Sequence, residues 1–578
     1  MRPLAGAGHA TAGLIRVGAH AVGSVAGCLQ AVATLERKSV RWTVGSRAGA
    51  VIAGSRVRMT ILGLGLLLAM LVAMRLCHTR ILWTEEGLPL AAAVQMAHGK
   101  ALYRDVWFDK PPLTAALCLL WGARTGWVLR AAGALWVFGA CLLAYRFARD
   151  LWGRREAMTA AWALGLFLTL GFHAAVIPLA ADLLMIVPHI AAVWLAWRGK
   201  PFASGIAAGI AVLFNSKGVF VLAACALWAP RSLPMLAAGF AAPHLAAVAW
   251  FAASGALQAY YEQVWKWGGL YAANTFIEHP VLHGIRRTAG WAGFHLALLA
   301  PAVWFWMRDR SPQRRIFALW AVISLVAVAA GARFFPRYYF QLLPVLALAA
   351  ARGFWMLGPA RAVAIFLLLI PATRFGPRYA LLAYDLFAGR PHEWRDVSID
   401  RDDQDAAALI RKISHDGDTL FVWGFRPELF AYTRLPSGSR FLESQPLTGV
   451  FADRHLMQSE PLDPAWARQS RKELAASRPM LLADGLSSYN PALSIHNYEE
   501  LRDWLADYEL AGRTFGIIVY RRRASSPSPH FAEGSRQTPS SPRTASSTPL
   551  PAPGLIQAPV HPITEFSRDR RSSASRIP

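Results

Sequence analysis

Long apolar runs separated by short, arginine-rich connectors dominate the chain from residue 59 to 373. The clearest are 59–77, 131–148, 157–172, 181–197, 234–253, 290–307, 315–331, 338–351 and 360–373. A helix crossing a bilayer upright needs ~20 apolar residues, so the shorter runs read as spans with soft edges. The stretch 203–230 is apolar but broken by Asn215-Ser216-Lys217-Gly218. It reads as one long span or as a hairpin of two, and connector charge decides. With the N-terminus in the cytoplasm, a hairpin keeps Arg149/Arg154/Arg155, Arg198/Lys200, Arg308/Arg310/Arg314/Arg315 and Arg352/Arg361 all inside. That is the arrangement the positive-inside rule favours. A single span would export the loop 308–315. The hairpin gives eleven spans and puts Lys217 outside, with loops 78–126, 254–289 and 332–337.

The pattern changes at 374. Charge rises, and the runs Thr419–Trp423, Met480–Ala483 and Gly516–Tyr520 read as short strands. Asp402–Ile413, Pro464–Ala475 and Tyr498–Leu505 read as helices. Alternating strand and helix predict a small α/β domain over 374–522, exported by the odd span count. Residues 1–58 hold eight Lys/Arg and one acid, Glu36, and read as a basic cytoplasmic segment. Residues 523–578, rich in Ser, Pro, Arg and Thr, read as a disordered tail.

Composition agrees with a multi-pass membrane protein. Hydrophobic residues make up 55% and charged residues 16%, against about 25% charged in an ordinary soluble domain. A soluble globular enzyme, a disordered chain and a collagen-like fibre are thereby excluded. The net charge of +25 would suggest nucleic acid in a soluble protein. Here the arginines sit in connectors beside anionic lipid, and no nucleic-acid-binding motif is present. The five cysteines (Cys28, Cys77, Cys118, Cys141, Cys225) lack metal-ligand spacing, so neither disulfides nor a zinc site is expected. His279 and His283 have helical spacing but enclose Pro280. No cofactor is expected, and the sequence does not support a divalent metal.

The first outer loop carries the chemistry. It reads Trp83-Thr84-Glu85-Glu86-Gly87, then Gly99-Lys100-Ala101-Leu102-Tyr103-Arg104-Asp105, then Asp109-Lys110-Pro111-Pro112-Leu113. Taken singly these are bland. A Glu pair suits any helix start, and a Pro pair stops a helix. In this order after the first span, they resemble the first loop of polytopic GT-C glycosyltransferases. The group in question contains the protein O-mannosyltransferases and the aminoarabinose transferases of lipid A, and is similar to glycosyltransferase family 39. Ala181-Asp182-Leu183-Leu184 resembles the second acidic position of that group. Ala208–Gly218 resembles its Gly-rich helix ending in Lys-Gly, and Arg333–Pro344 its late basic-aromatic motif. Asp418–Gly424 resembles the opening strand of its outer domain in bacterial members. The resemblance covers about 59–522. Glu85 departs from it, standing where the group has Asp, and so does Arg337, where many members carry His. Leu88 and Pro89 stand where aromatics are common.

The resemblance implies an inverting transferase in a bacterial plasma (inner) membrane. It would move a sugar from a polyprenyl-phosphate donor to an extracytoplasmic glycan, lipid or protein. Glu85 is then the candidate base, with Glu86 and Asp182 orienting the acceptor or tuning the base. Lys217, Arg333 and Arg337 are candidate phosphate clamps, and Tyr338 or Tyr339 a hydroxyl donor. Tyr103, Asp109 and Lys110 are expected on the cavity rim. Bland readings stand beside these: Asp182 ending a helix, Lys217 snorkelling to the interface, and Arg333/Arg337 as a surface loop pair. Two other functions fit the chain, a catalytically silent polyprenyl-lipid binder and a transporter or flippase. The second lacks the repeat symmetry and mid-membrane polar pairs such proteins show.

Overall fold

The structure, a computed structural model, describes residues 47–389, 392 and 394–523. Most of the basic segment expected over 1–58, and the tail expected over 523–578 apart from Arg523, lie outside the described residues.

The apolar runs form helices that end where charge, Gly or Pro interrupts them. The longer ones are α1 (Arg47–Leu76), α2 (Thr84–Ala97), α3 (Trp127–Leu151), α4 (Arg154–Phe167), α5 (Ile186–Trp197), α6 (Pro201–Phe214) and α7 (Val219–Trp228). They continue with α8 (Leu233–Ala253), α9 (Pro280–Phe294), α10 (Leu296–Arg308), α11 (Gln313–Ala329), α12 (Leu343–Met356) and α13 (Leu369–Ala388). Val57–Leu76, Trp127–Leu151, Pro230–Ala253 and Gly358–Ala388 are long and apolar enough to cross a membrane. A fifth span is added if α9 and α10, bent by 95°, count together. Ala181–Trp197, Pro201–Phe214, Ser216–Trp228 and Leu343–Met356 are apolar but shorter. The chain is a helical multi-pass membrane protein, with four or five of the eleven expected spans supported by length and apolarity alone.

At 203–230 the chain doubles back. An ideal Cβ on Gly218 would lie 2.5 Å from the backbone nitrogen of Val212, so only glycine allows the fold-back there. α6 then packs on α8 at backbone contact. A Cβ on Gly205 would meet the Leu236 carbonyl at 2.1 Å, and one on Gly239 the Phe202 carbonyl at 2.0 Å. Small residues drive helix association in lipid because they let main chains approach. Two expected boundaries shift. The segment expected as an outer loop over 254–289 contains the start of α9, whose Val281, Leu282 and Ile285 are exposed. The last apolar run continues past 373 to Ala388, because Pro371 and Pro377 are accommodated inside a helix, as membrane helices often allow.

Beyond α13, α14 (Ser398–Ile413) and α15 (Pro464–Ala476) accompany a four-stranded sheet. Its strands are β1 (Leu420–Trp423), β2 (Leu481–Asp484), β3 (Tyr508–Arg513) and β4 (Ile518–Arg522), in the order β1-β2-β4-β3. β1 and β2 are parallel, and the other pairings are antiparallel. β3 is absent from the sequence expectation because Tyr-Glu-Leu-Ala-Gly-Arg holds Glu, Ala and Gly, which are depleted in strands. This domain grips α2. Leu429 and Phe430 share a buried cluster with Leu88, Ala91 and Ala92. Gln95 donates to the Leu435 carbonyl and accepts from the Ser437 N–H. The Asp400 carboxylate accepts from the Leu82 N–H at 3.2 Å.

Candidate active site

The site starts at the first turn of α2. Neighbouring helix residues point about 100° apart, since a turn holds ~3.6 residues, so Glu85 and Glu86 face different partners. Glu85 pairs with Arg337. Asp182, 5% exposed at the start of the turn Ala181–Leu184, lies 3.4 Å from Nε of the same guanidinium. Asn215 donates to Asp182 at 3.0 Å, and its carbonyl oxygen accepts from the Lys217 N–H at 3.0 Å. That cap fixes the short turn Ser216–Gly218 on which Lys217 stands. Lys217 Nζ lies 3.2 Å from the centre of the Tyr338 ring, and Arg337 Cζ lies 5.9 Å from the same ring. The Lys217 ammonium is buried without a hydrogen-bond partner among the described residues. Two acids and two cations, drawn from four separate segments, thus meet around one tyrosine. Lys110 lies within electrostatic range of Glu85 and Arg337 and pairs with Asp109 at 2.9 Å.

Other expected residues stand apart from this cluster. Glu86 is 1% exposed and held by Arg130 at 2.7 and 3.0 Å, and it accepts from the Leu179 N–H. Arg130 also donates to the Ile81 carbonyl, while Arg75 donates to the carbonyls of Val176 and Ile177. Together they satisfy irregular backbone around α2 and residues 176–179, a requirement wherever non-helical chain sits at membrane depth. Arg333 is 2% exposed, pairs with Asp453 at 3.2 Å and donates to the carbonyls of Tyr271 and Asn274. Its guanidinium lies 3.6 Å from the Tyr271 ring centre, one ring away from Tyr338. The residues on either side of it, Ala332 and Phe334, have φ of 55° and 51°, so the loop is held in a strained conformation. Tyr339 stacks on Trp291 and shares a 2.8 Å hydrogen bond with Thr288. Tyr103 is fully buried among Phe108, Phe251 and Tyr260 rather than on a rim, and its hydroxyl donates to the Lys110 carbonyl.

Sequence reasoning missed two contributors. Asn215 was visible only as a polar break, and its orientation of Asp182 needs the hairpin to be seen. Glu443, fully buried in the C-terminal sheet domain, lies within electrostatic range of Asp109 and Lys110. No motif marks it. Burial pushes its carboxyl up to about 8, and the neighbouring Asp109 adds to the effect. A carboxyl raised on folding stabilises the fold below its unfolded value, ~4.3, and that contribution is lost as pH rises toward 8. Thermal unfolding of the protein in detergent is expected at lower temperature at pH 8 than at pH 5. Glu443→Gln should flatten that slope; an unchanged slope would remove Glu443 as its source.

Comparison with known proteins bears on the fold. No family model matches the chain, and no curated protein matches it in sequence. Among solved structures, ArnT from Cupriavidus metallidurans in the apo state aligns over 81% of this chain and 98% of its own, at 17% identity and a TM-score of 0.50. ArnT bound to undecaprenyl phosphate has the same coverage and identity with a TM-score of 0.49. The Archaeoglobus fulgidus oligosaccharyltransferase in complex with zinc and sulfate covers 73% of this chain and 68% of its own, at 14% identity and 0.41. The likeness does not single out glycosyltransferase family 39. In fold the chain is similar to ArnT and thereby to the GT-C class of polytopic membrane glycosyltransferases.

Proposed function

We propose that this protein is an inverting membrane glycosyltransferase that moves a sugar from a polyprenyl phosphate to an extracytoplasmic acceptor. The reading includes eleven spans, with residues 1–58 inside and the 374–522 domain outside a bacterial plasma membrane. The observation that carries it is the Glu85–Arg337–Asp182 cluster with the Lys217 ammonium beside it, which has no hydrogen-bond partner among the described residues. The donor proposed belongs to the lipid class to which ArnT is bound in its undecaprenyl phosphate complex.

Glu85 takes the proton from the acceptor hydroxyl. The acceptor oxygen bonds to the anomeric carbon as the bond from that carbon to the phosphate oxygen breaks. The electron pair leaves with the lipid phosphate, and one displacement inverts the centre. Charge grows on that phosphate in the transition state, where fixed cations are most effective. Lys217 and Arg337 supply them, Lys as a point charge and Arg through paired N–H groups. Asp182 holds Arg337 in place and is itself held by Asn215. Glu86, bound to Arg130, positions the α2 start rather than touching substrate. Arg333, saturated by Asp453 and two carbonyls, shapes the same loop.

The test is release or transfer of label from radiolabelled polyprenyl-phosphate sugars by the purified protein. Lys217→Met is expected to weaken polyprenyl phosphate binding by about ten- to hundredfold, since a hydrogen bond to a charged group contributes ~1.5–3 kcal/mol. Wild-type protein that binds the lipid phosphate but turns over no sugar donor would mean a silent lipid binder. Protein that neither binds nor turns over would end the reading.

A further inference from the structure

Away from this cluster, α4, α10, α12 and residues 364–368 enclose an apolar cleft of about 270 Å³. It follows α4 from Met158 to Phe167, about 14 Å at ~1.5 Å per residue. Trp162, Pro301 and Phe354 line it, and Ile365, at its edge, is 55% exposed. Its one hydroxyl is that of Thr159. This hydroxyl accepts from the Trp355 indole N–H at 3.0 Å, which ties the end of the cleft to a cationic patch. Arg155 Cζ and Arg361 Cζ lie 5.5 and 5.1 Å from the Trp355 ring centre. Both arginines are exposed, and neither has an ion pair among the described residues. The third arginine nearby, Arg352, is neutralised by Glu156 at 2.9 Å and Asp309 at 3.4 Å. The two free cations therefore stand at the polar end of an apolar cleft that opens toward lipid. Both belong to connectors that charge assigns to the cytoplasm, opposite the Glu85 cluster. Basic pockets between helices on that face suit anionic lipid headgroups.

We propose that this cleft is a binding site for an anionic glycerophospholipid of the cytoplasmic leaflet. One acyl chain lies along α4, and Arg155 and Arg361 hold the phosphate over Trp355. Arg meets phosphate with paired donors in a fixed plane, which favours it over a neutral headgroup. The site uses no residue of the proposed transfer reaction; its assignment to the cytoplasmic leaflet rests on the topology proposed above, and the lipid binding itself does not.

Native mass spectrometry of the full chain released from nanodiscs tests it, with phosphatidylglycerol, phosphatidylcholine and undecaprenyl phosphate at equal mole fraction. Wild type is expected to retain phosphatidylglycerol over phosphatidylcholine. Arg155→Gln/Arg361→Gln should lose about thirty-fold in phosphatidylglycerol affinity, equal to ~2 kcal/mol at ~1.4 kcal/mol per tenfold, while Arg155→Lys/Arg361→Lys retains most of it. Both arginines are exposed, so the fold and any sugar release should persist. Ala297→Phe, which fills the cleft without touching charge, should also displace the lipid. Equal retention of the two phospholipids by wild type, or unchanged retention by the double Gln variant, overturns the proposal. So does stronger retention of undecaprenyl phosphate that the double Gln variant loses, which would make the cleft a polyprenyl site.

Discussion

Glu85→Gln is expected to lower sugar transfer by about 10²–10⁴-fold, the usual contribution of a positioned general base. Binding of the donor lipid should hold or strengthen, because Gln removes one of the two carboxylates that occupy Arg337. A split between turnover and binding is therefore the signature, read as initial rates beside lipid retention. Glu85→Asp sharpens the test. The carboxylate would retreat by about a methylene, and a misplacement of ~1 Å costs up to ~10²-fold at a tuned site. A fall in rate would mark Glu85 as a base fitted to this chain. A rise would mark the position as built for Asp, with Glu as the poorer occupant. Full turnover in Glu85→Gln would remove it from the mechanism.

Glu86→Gln is expected to act on stability instead. Arg130 would be left 1% exposed without its counter-charge, and breaking one partner of a buried pair costs about 3–5 kcal/mol. The yield of monodisperse protein and the unfolding temperature should both fall. Arg130→Met in the same chain should restore only the part of the loss that comes from the unpaired charge, because the carbonyls of His78 and Ile81 then lose their donor. A Glu86→Gln protein as stable as wild type but without turnover would reverse the roles of the two glutamates. Adjacent residues with the same side chain thus separate into a rate effect and a folding effect, because one turn of helix aims them at different partners.

Much of the membrane architecture was legible in the sequence because lipid imposes simple rules. Apolar runs, charged connectors and the break at Asn215–Gly218 suffice to place the fold-back between α6 and α7, and the structure reports it in the contact at Gly218. The bend between α9 and α10 was not legible, since an amphipathic helix such as Pro280–Phe294 carries too many polar residues to look like part of a span. In the C-terminal sheet domain β1, β2 and β4 were visible as apolar runs, within two residues of their observed limits. β3 was hidden by its composition. Among the site residues, the pattern brought forward Glu85, Asp182, Lys217, Arg337 and Tyr338, which do meet. It made Glu85 the base but kept Glu86 beside it at the acceptor, and it could not separate Arg337 from Arg333. Those distinctions depend on Arg130, Asp453 and Tyr271, which come from distant parts of the chain.

The grip of the C-terminal sheet domain on α2 has a consequence for biogenesis. Glu85 leaves the ribosome well before the groups that fix its helix, Asp400, Leu435 and Ser437. Asp453, which anchors Arg333, comes later still. A nascent chain synthesised only as far as Ala388 therefore lacks the contacts that hold α2 and the Arg333 loop. Chains stalled or clipped after Ala388 would keep their apolar helices but leave α2 and the Arg333 loop without these anchors, and the cell would meet them as targets for membrane quality control.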